Sequence, residues 1–486
     1  MRRRDFLAAG GGAAVALGLG LPARAAQPAG TAPAAPSLER RLADLALGVR
    51  YENLPADIVD SVKRLLLDTL GCALGAVGAT PAKIAEATFR KAYGSRGTAS
   101  IFGGRKAIGT EGAALVNGVL TRYLDFNDIY VGSEPLHPSE IIPAALACCE
   151  EAGRSGRELI EALVAGYEGE TRINDALTYL DRGMHPLSVG GLVAPMVAGK
   201  AWRLPAEVIE HAIGISGTRE FTMFVVNSGE ISMMKALGHA YICMDAIFST
   251  RMAAAGFTGP QNVIQWVATK VGPPKARVEI DFSPQGFRLP KVGLKRFPLQ
   301  FEMQSAVEAG VELHRELAGR AGSIREVVIE TYPRIRERTA GPVMYRPGTR
   351  ETADHSLPVC TAMALLDGDV TGEQFRRDRW RAADVLALAG KVTVKNSEVL
   401  MAKYPKGRGA VVEVHLDEGR VLRREVEIPE GDAERPMSRP SLEHKFRQLA
   451  EPVLGRAGAT RVIGMVDRLE DMRDVRSLAT ALRGRG

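Results

Sequence analysis

The stretch YLDFNDIYVGSEPLHPSEIIPAALA, Tyr123 to Ala147, sets an irregular polar segment between two apolar runs of helical character. The leading run, GTEGAALVNGVLTRYL, ends where Asp125-Phe126-Asn127-Asp128 begins, and the trailing one opens at His137-Pro138-Ser139. Proline is tolerated in the first turn of a helix, so His137 is expected beside that turn's free backbone N–H groups. A base, an acid and anion-binding amides can converge in such a segment. The simpler alternative is a polar loop whose Asp and Ser residues only cap helices.

Working outward, the chain is helical on both sides of this loop. Leu38, Leu42, Leu45, Ala46 and Val49 form one apolar stripe, and Ile58, Val62, Leu65, Leu66 and Leu70 form another after Pro55. The second runs into Gly71-Cys-Ala-Leu-Gly75, where small residues permit close helix contact or end the helix. Pro81 to Tyr93 is a further run closed by Gly94. After the loop come Ser139 to Glu151, Arg157 to Leu177, Gly190 to Arg203, Pro205 to Ile215 and Ser232 to Ala255. The pattern changes after Gly272-Pro273-Pro274. Ile324 to Tyr332, Lys391 to Lys395 and Ala410 to Leu416 carry the β-branched content or alternation of strands, and Asp417-Glu-Gly-Arg before Val421 is a hairpin signal. Helical runs lie between them, around Met303 to Leu317 and Val359 to Asp367, and the tail returns to helical periodicity at Ser441 to Leu454 and Ala459 to Leu482. The expected fold class is α+β: a large all-helical domain over residues 38–270, a smaller α+β domain over 271–430, and C-terminal helices over 431–486 packing back on the first.

The first residues address the chain. Arg3-Arg4-Asp5-Phe6-Leu7, a short apolar run to Leu21 and Ala23-Arg24-Ala25 read as a twin-arginine export signal over residues 1–25, followed by an Ala- and Pro-rich linker over 26–37. The apolar run is short and rich in Gly and Ala, so no stable membrane insertion is expected after processing, and the expected location is the periplasm. Four leader arginines against one aspartate supply three of the +6 formal charges, leaving about +3 on the exported chain. That excess argues against a nucleic-acid partner. Five cysteines, with no CxxC and no Cys/His metal spacing, read as buried thiols rather than a disulfide or metal framework.

Several other segments concentrate chemistry. Gly183-Met184-His185-Pro186-Leu187-Ser188 is a second histidine and proline opening a helix. Lys235 heads a long apolar helix, with His239 one turn on. Lys295-Arg296-Phe297-Pro298 sets two cations before an aromatic, and Asp354-His355-Ser356-Leu357-Pro358 is a third histidine before an apolar run. Each has a plainer reading, as a satisfied polar residue near a helix end or a cation facing water. GxSxG, GxGxxG after a strand, GxxxxGK[ST] and HExxH are all missing. What remains is acid/base chemistry on a small polar substrate.

In order along the chain, LLLDTLGCALGA (Leu65 to Ala76), LDFNDIYVGSEPLHPS, HPLSVGG, KALGHAYICMDAIFSTRMAAAGFTGP, LKRFPLQFEMQSAVEA, DHSLPV and MAKYPKGRGAVVEV resemble the MmgE/PrpD family, from about Leu38 to Leu482. That family includes 2-methylcitrate dehydratase, cis-aconitate decarboxylase and iminodisuccinate epimerase. The resemblance implies a helical domain with a smaller lid-like α+β domain, a homodimer, and no metal or organic cofactor. It implies Asp125, His137 and His185 as catalytic residues and Lys235 and Lys295 as substrate-binding residues. It further implies a dehydratase-like lyase on a small di- or tricarboxylate, with an epimerase, isomerase or decarboxylase as the alternative, and a non-catalytic polycarboxylate-binding protein as the alternative of another class. In the proposed chemistry the lysines hold carboxylates, a histidine transfers the proton α to a carboxylate, and Asp125 orients a histidine or acts as its partner base. Relative to DFDDT-type versions of the loop, Asn127 stands for a carboxylate and Ile129 for a hydroxyl, and the stretch to His137 is about two residues longer than in the decarboxylase-like pattern, so this loop is where a change of substrate is expected.

Replacing Arg3-Arg4 by Lys-Lys is expected to abolish accumulation in the periplasm, read by cell fractionation; unchanged accumulation contradicts twin-arginine dependence.

Overall fold

The computed structural model describes residues 35–274, 277–404 and 407–484. The export signal, and the linker up to residue 34, lie outside the described residues. From Leu38 the chain is built of amphipathic and fully apolar helices, at Leu38–Gly48, Ala56–Gly75, Thr80–Tyr93, Thr110–Tyr123, Ile142–Ala152, Gly156–Ala176, Gly190–Ala201, Ala206–Gly217 and Met234–Ala254. Their apolar faces meet in one core that includes Leu66, Val119, Leu163, Val197 and Ile247. Sequence chemistry sets the ends: Ser155 and Glu158 form a reciprocal capping box, and Gly153 closes the preceding helix in a left-handed turn.

The last long helix, Arg439–Asp467, contributes Leu442, Phe446, Leu449 and Val462 to that same core. It lies against Ala56–Gly75 where Gly71 and Gly75 leave room. A Cβ on Gly75 would stand 2.6 Å from a Leu449 methyl, and one on Gly71 would stand 3.1 Å from the Phe446 ring. The small residues at the end of the Leu65 run therefore do both things their sequence suggests, ending the helix and admitting a neighbour. Gly455, at φ 67°, breaks the long helix after Pro452. The helical run expected through Leu482 is interrupted between Asp467 and the short helix Arg476–Ala481, where the chain pairs its backbone with the start of Gly156–Ala176: Gly156 N–H donates to Met472 O and Val475 N–H to Arg154 O.

A second, separate core holds Val327, Ile329, Met363, Trp380, Val412 and Val414. Its frame is a four-stranded sheet in the order β4-β3-β5-β6, with β3 at Ile324–Thr331, β4 at Val392–Asn396, β5 at Ala410–Leu416 and β6 at Val421–Val426. A two-stranded ribbon, β1 at Tyr130–Val131 and β2 at Pro135–Leu136, precedes it in the chain. In the main sheet β3 runs parallel to β4, with Val327 beside Val392, and antiparallel to β5, with Val327 beside Val414. β5 and β6 are the expected hairpin, turned by Gly419 in the left-handed region. Helix Gln304–Leu317 covers β5 and β6 and packs against Leu357–Asp367. Four helices of five to seven residues, Pro333–Thr339, Gly372–Arg376, Ala383–Ala389 and Glu398–Lys403, are too short to show a period in sequence. The mainly helical part beside a smaller α+β part is the expected fold class. Among the described residues no single helix is long and apolar enough to cross a membrane.

Candidate active site

Helix Thr110–Tyr123 ends because Asp125 takes a left-handed backbone, φ 50°, which aspartate tolerates better than most residues. The chain then runs beside the segment around Gly293: Ile129 N–H donates to Gly293 O at 2.9 Å and Gly293 N–H to Ile129 O at 2.8 Å. The β1-β2 ribbon brings it back to His137, which heads the short helix Pro138–Ile141. The loop is thus fixed at both ends and along its length.

Asp125 is the centre of charge. Its Oδ1 receives Lys295 Nζ at 2.6 Å and an Arg122 guanidinium N–H, while Oδ2 lies 3.2 Å from Lys235 Nζ and 3.7 Å from His355 Nε2. Burial works to raise its pKa, but the cations of Arg122, Lys235 and Lys295 outweigh burial and hold the carboxyl well below its usual range. Asp125 is therefore a fixed anion that orders cations, not a group that takes up protons near neutral pH. Lys235 also lies 2.8 Å from Asp354 Oδ1 and 3.4 Å from His355 Nδ1. Asp125, Asp354 and His355 come close enough together to hold a metal ion, and the Lys235 ammonium lies against all three and supplies a cation there.

The histidines are set as neutral bases and donors. His137 Nδ1 stands 2.5 Å from the Asp128 carbonyl, which can only accept, so Nδ1 carries the proton and Nε2 keeps its lone pair. Burial, then the charges of Lys295 and Arg122, push the His137 pKa well below its ordinary value. His185 has the opposite tautomer: Nδ1 accepts from Leu187 N–H at 3.2 Å, so Nε2 carries the proton. The Asn227 amide nitrogen stands 2.9 Å from Nε2; turning that amide over, which exchanges its N and O, brings its otherwise unpartnered oxygen there to receive the proton. Burial, with Arg122 and Arg338 nearby, takes His185 down to about 3. Lys295 donates to both the Asp125 carbonyl and its carboxylate; burial lowers its pKa to about 8, against the pull of Asp125.

Asp125, His137, His185 and Lys295 all line one narrow cleft, together with Arg122, His355, Arg334, Arg338 and Glu302. Lys235 is not among its lining residues; its ammonium contacts Asp125 and Asp354. Four cations face two carboxylates across the lining, an excess that suits an anionic ligand. Glu302 lies 3.5 Å from Arg334 and 3.7 Å from Arg338, and one carboxylate cannot neutralise both guanidiniums. Ile129, Pro135, Leu180, Pro186, Phe224 and Phe301 make the apolar remainder. A larger groove, lined by Phe89, Tyr93, Leu237 and other residues without charge, offers no acid or base.

Three lining cations escape a reading of the sequence. Arg122 sits in the last turn of an apolar helix, where only its spacing of three from Asp125 gives a signal. Arg334 and Arg338 stand one turn apart in a helix of seven residues and read as surface charge. Of the two loop departures, Ile129 lines the cleft, whereas Asn127 is fully buried and donates to Ser139 Oγ at 3.0 Å. Asp128, buried against Ser139 and Tyr167, is raised to about 7 by burial and points away from the cleft lining.

Comparison with known proteins places this geometry. Residues 40–268 match the MmgE/PrpD N-terminal domain and residues 297–471 the MmgE/PrpD C-terminal domain. The chain is 26% identical to cis-aconitate decarboxylase of Aspergillus terreus (strain NIH 2624 / FGSC A1156), over 89% of this chain and 93% of that protein. It is 25% identical to the human cis-aconitate decarboxylase, over 90% and 92%. It is 27% identical to 2-methylcitrate dehydratase of Cupriavidus necator, over 82% and 87%.

Among the described residues Asp125 is the one carboxylate shared by Arg122, Lys235 and Lys295; Asp125→Asn leaves the buried Lys295 without its carboxylate partner, while Arg122 keeps Glu140 and Lys235 keeps Asp354. It is expected to lower stability by about 3–5 kcal/mol, measured by denaturant unfolding at neutral pH. A loss under about 1 kcal/mol contradicts the central role given to this carboxylate.

Proposed function

We propose that this chain, which belongs to the MmgE/PrpD family, is a dehydratase-like lyase whose substrate is a small di- or tricarboxylate that loses the proton α to a carboxylate. The observation that carries this is the pairing, in one cleft, of a neutral His137 with Nε2 free and a Lys295 ammonium of depressed pKa. Arg334 and Arg338 hold a carboxylate, with Glu302 keeping them in place. His137 Nε2 takes the α proton. The charge that develops on the carboxylate is stabilised by Lys295 and Arg122, whose own orientation is fixed in advance by Asp125. With two of its three donors engaged by Asp125, Lys295 has a third for the substrate, and at a pKa of about 8 it can protonate a departing hydroxyl. His185 Nε2–H, shared with Asn227, orients the bound acid.

Decarboxylation is the second reading, favoured by the similarity to fungal and human cis-aconitate decarboxylases along most of the chain. The two readings share the step at His137 and differ in what leaves. An NMR screen of hydroxylated and unsaturated di- and tricarboxylates separates them, by release of water or of carbon dioxide. Failure to turn over any polycarboxylate that binds contradicts both and leaves a binding protein. Export to the periplasm remains part of the proposal, resting on Arg3-Arg4 and the apolar run that follows.

A homodimer is also proposed. Helix Met234–Ala254 exposes Met234, Tyr241 and Phe248 at intervals of seven, the spacing of a helix–helix seam, beside exposed Ile84 and Tyr93. A second copy related by a two-fold axis covers such a face with itself. Tyr241→Glu is expected to shift sedimentation from dimer to monomer, and a dimer of unchanged affinity contradicts this seam.

The pH profile follows from the site. Activity needs His137 neutral and Lys295 charged. His137 loses its proton well below pH 6.5, so it is ready across the neutral range, and the alkaline limb of kcat/KM is expected near pH 8, where Lys295 deprotonates. Lys295→Arg, which keeps the charge at higher pH, is expected to move that limb upward by a unit or more in whatever activity remains. An alkaline limb left in place contradicts the role of Lys295.

A further inference from the structure

Lys445 lies in the second turn of helix Arg439–Asp467, far in sequence from every residue of the cleft, and is nearly completely buried. Its ammonium donates to Phe126 O at 2.8 Å and to Lys295 O at 2.9 Å, and stands 2.7 Å from Asp68 Oδ1 on helix Ala56–Gly75. It also sits 3.7 Å from the centre of the Phe126 ring. Both carbonyls belong to irregular backbone, and each is joined to a residue of the site: Phe126 follows Asp125, and Lys295 is itself a lining cation. The two segments run side by side. Ile129 and Gly293 tie one end by paired backbone hydrogen bonds, and the Lys445 ammonium ties the other by drawing two carbonyls to one cation.

A buried lysine is a costly way to hold two segments together, since an apolar side chain of similar size usually stabilises as well or better. What an apolar residue cannot do is fix the direction of two carbonyls. Those carbonyls set where the Asp125 and Lys295 side chains begin, and the Asp125–Lys295 contact of 2.6 Å depends on that register. We propose that Lys445, paired with Asp68, is a positioning residue of the active site that staples the Asp125 loop to the Lys295 segment. It touches no substrate, and its effect passes through Lys295 and Asp125. The inference rests on the reading of those two residues as part of the reacting machinery, while the staple itself is a statement about backbone.

The test removes both charges together, as Asp68→Asn with Lys445→Met, so that no lone buried charge remains. A milder variant, Lys445→Gln, keeps one amide donor for a carbonyl. Phe446→Leu, the next residue on the same helix, serves as the control for lost packing. Turnover is measured per folded molecule, and hydrogen exchange is followed at the Ile129 and Gly293 amides. The double variant is expected to lose about 10–100-fold in kcat, the scale of a misplacement of about an ångström, with KM changed much less because Arg334 and Arg338 are untouched. Exchange at both amides is expected to quicken, with Lys445→Gln intermediate. Phe446→Leu is expected to lower the melting temperature without moving kcat. Unchanged kcat in either Lys445 variant overturns the positioning role, and unchanged exchange overturns the staple. If the wild-type protein turns over no polycarboxylate, the proposed function fails, and the exchange comparison alone then decides whether Lys445 holds the two segments.

Discussion

Asp125 meets four side chains from four separate parts of the chain: Arg122 from the helix before it, Lys235 from the long helix Met234–Ala254, Lys295 from the segment after the helical part, and His355 from the start of helix Leu357–Asp367. An anion buried this deeply is tolerated because Arg122, Lys235 and Lys295 surround it, and it shares their compensation with Glu140 at Arg122 and Asp354 at Lys235. Lys235 belongs to the first part and His355 to the second, so the full set of contacts at Asp125 draws on both. Asp354 extends the same network outward through Lys235 and Arg350, and the Arg350 guanidinium donates to the carbonyl of Tyr123 at the end of the helix that leads to Asp125.

Burial does a second job at the histidines. Out of water and beside fixed cations, His137 and His185 stay neutral, and the hydrogen bond at one ring nitrogen decides the state of the other. The two histidine and proline openings look alike in sequence but arrive at opposite tautomers. His137 gives its Nδ1 proton to a backbone carbonyl, whereas His185 receives a backbone N–H at the same atom. One ring therefore has a basic nitrogen free, and the other has a proton to share. That difference is why proton abstraction is proposed for His137.

Much of this was legible in the residues. The helical stripes, the three strand-like runs and the hairpin at Gly419 carry their periods and turn chemistry openly, and Asp125 and His137 stand out because they interrupt two apolar helices. Sheet order did not show, because the pairing of β3 with a parallel β4 some sixty residues on and an antiparallel β5 depends on long-range packing. Arg334 and Arg338 were hidden for a different reason: charges on a short helix look solvated until a fold turns them inward. Lys235 was visible, but not its partners. Its sequence position says only that a cation heads an apolar helix, and whether it faces substrate or a carboxylate is settled by where Asp125 and Asp354 lie.

The account stands on proton removal by His137 in a cleft whose cations are ordered by Asp125. The most direct measurement is the exchange of the α proton of a bound polycarboxylate with solvent deuterium, followed by NMR in wild-type protein and in His137→Ala. Exchange in the wild type that falls by about 100-fold or more in the variant, with substrate binding retained, is the predicted result. Exchange that continues at near wild-type rate in His137→Ala would contradict it.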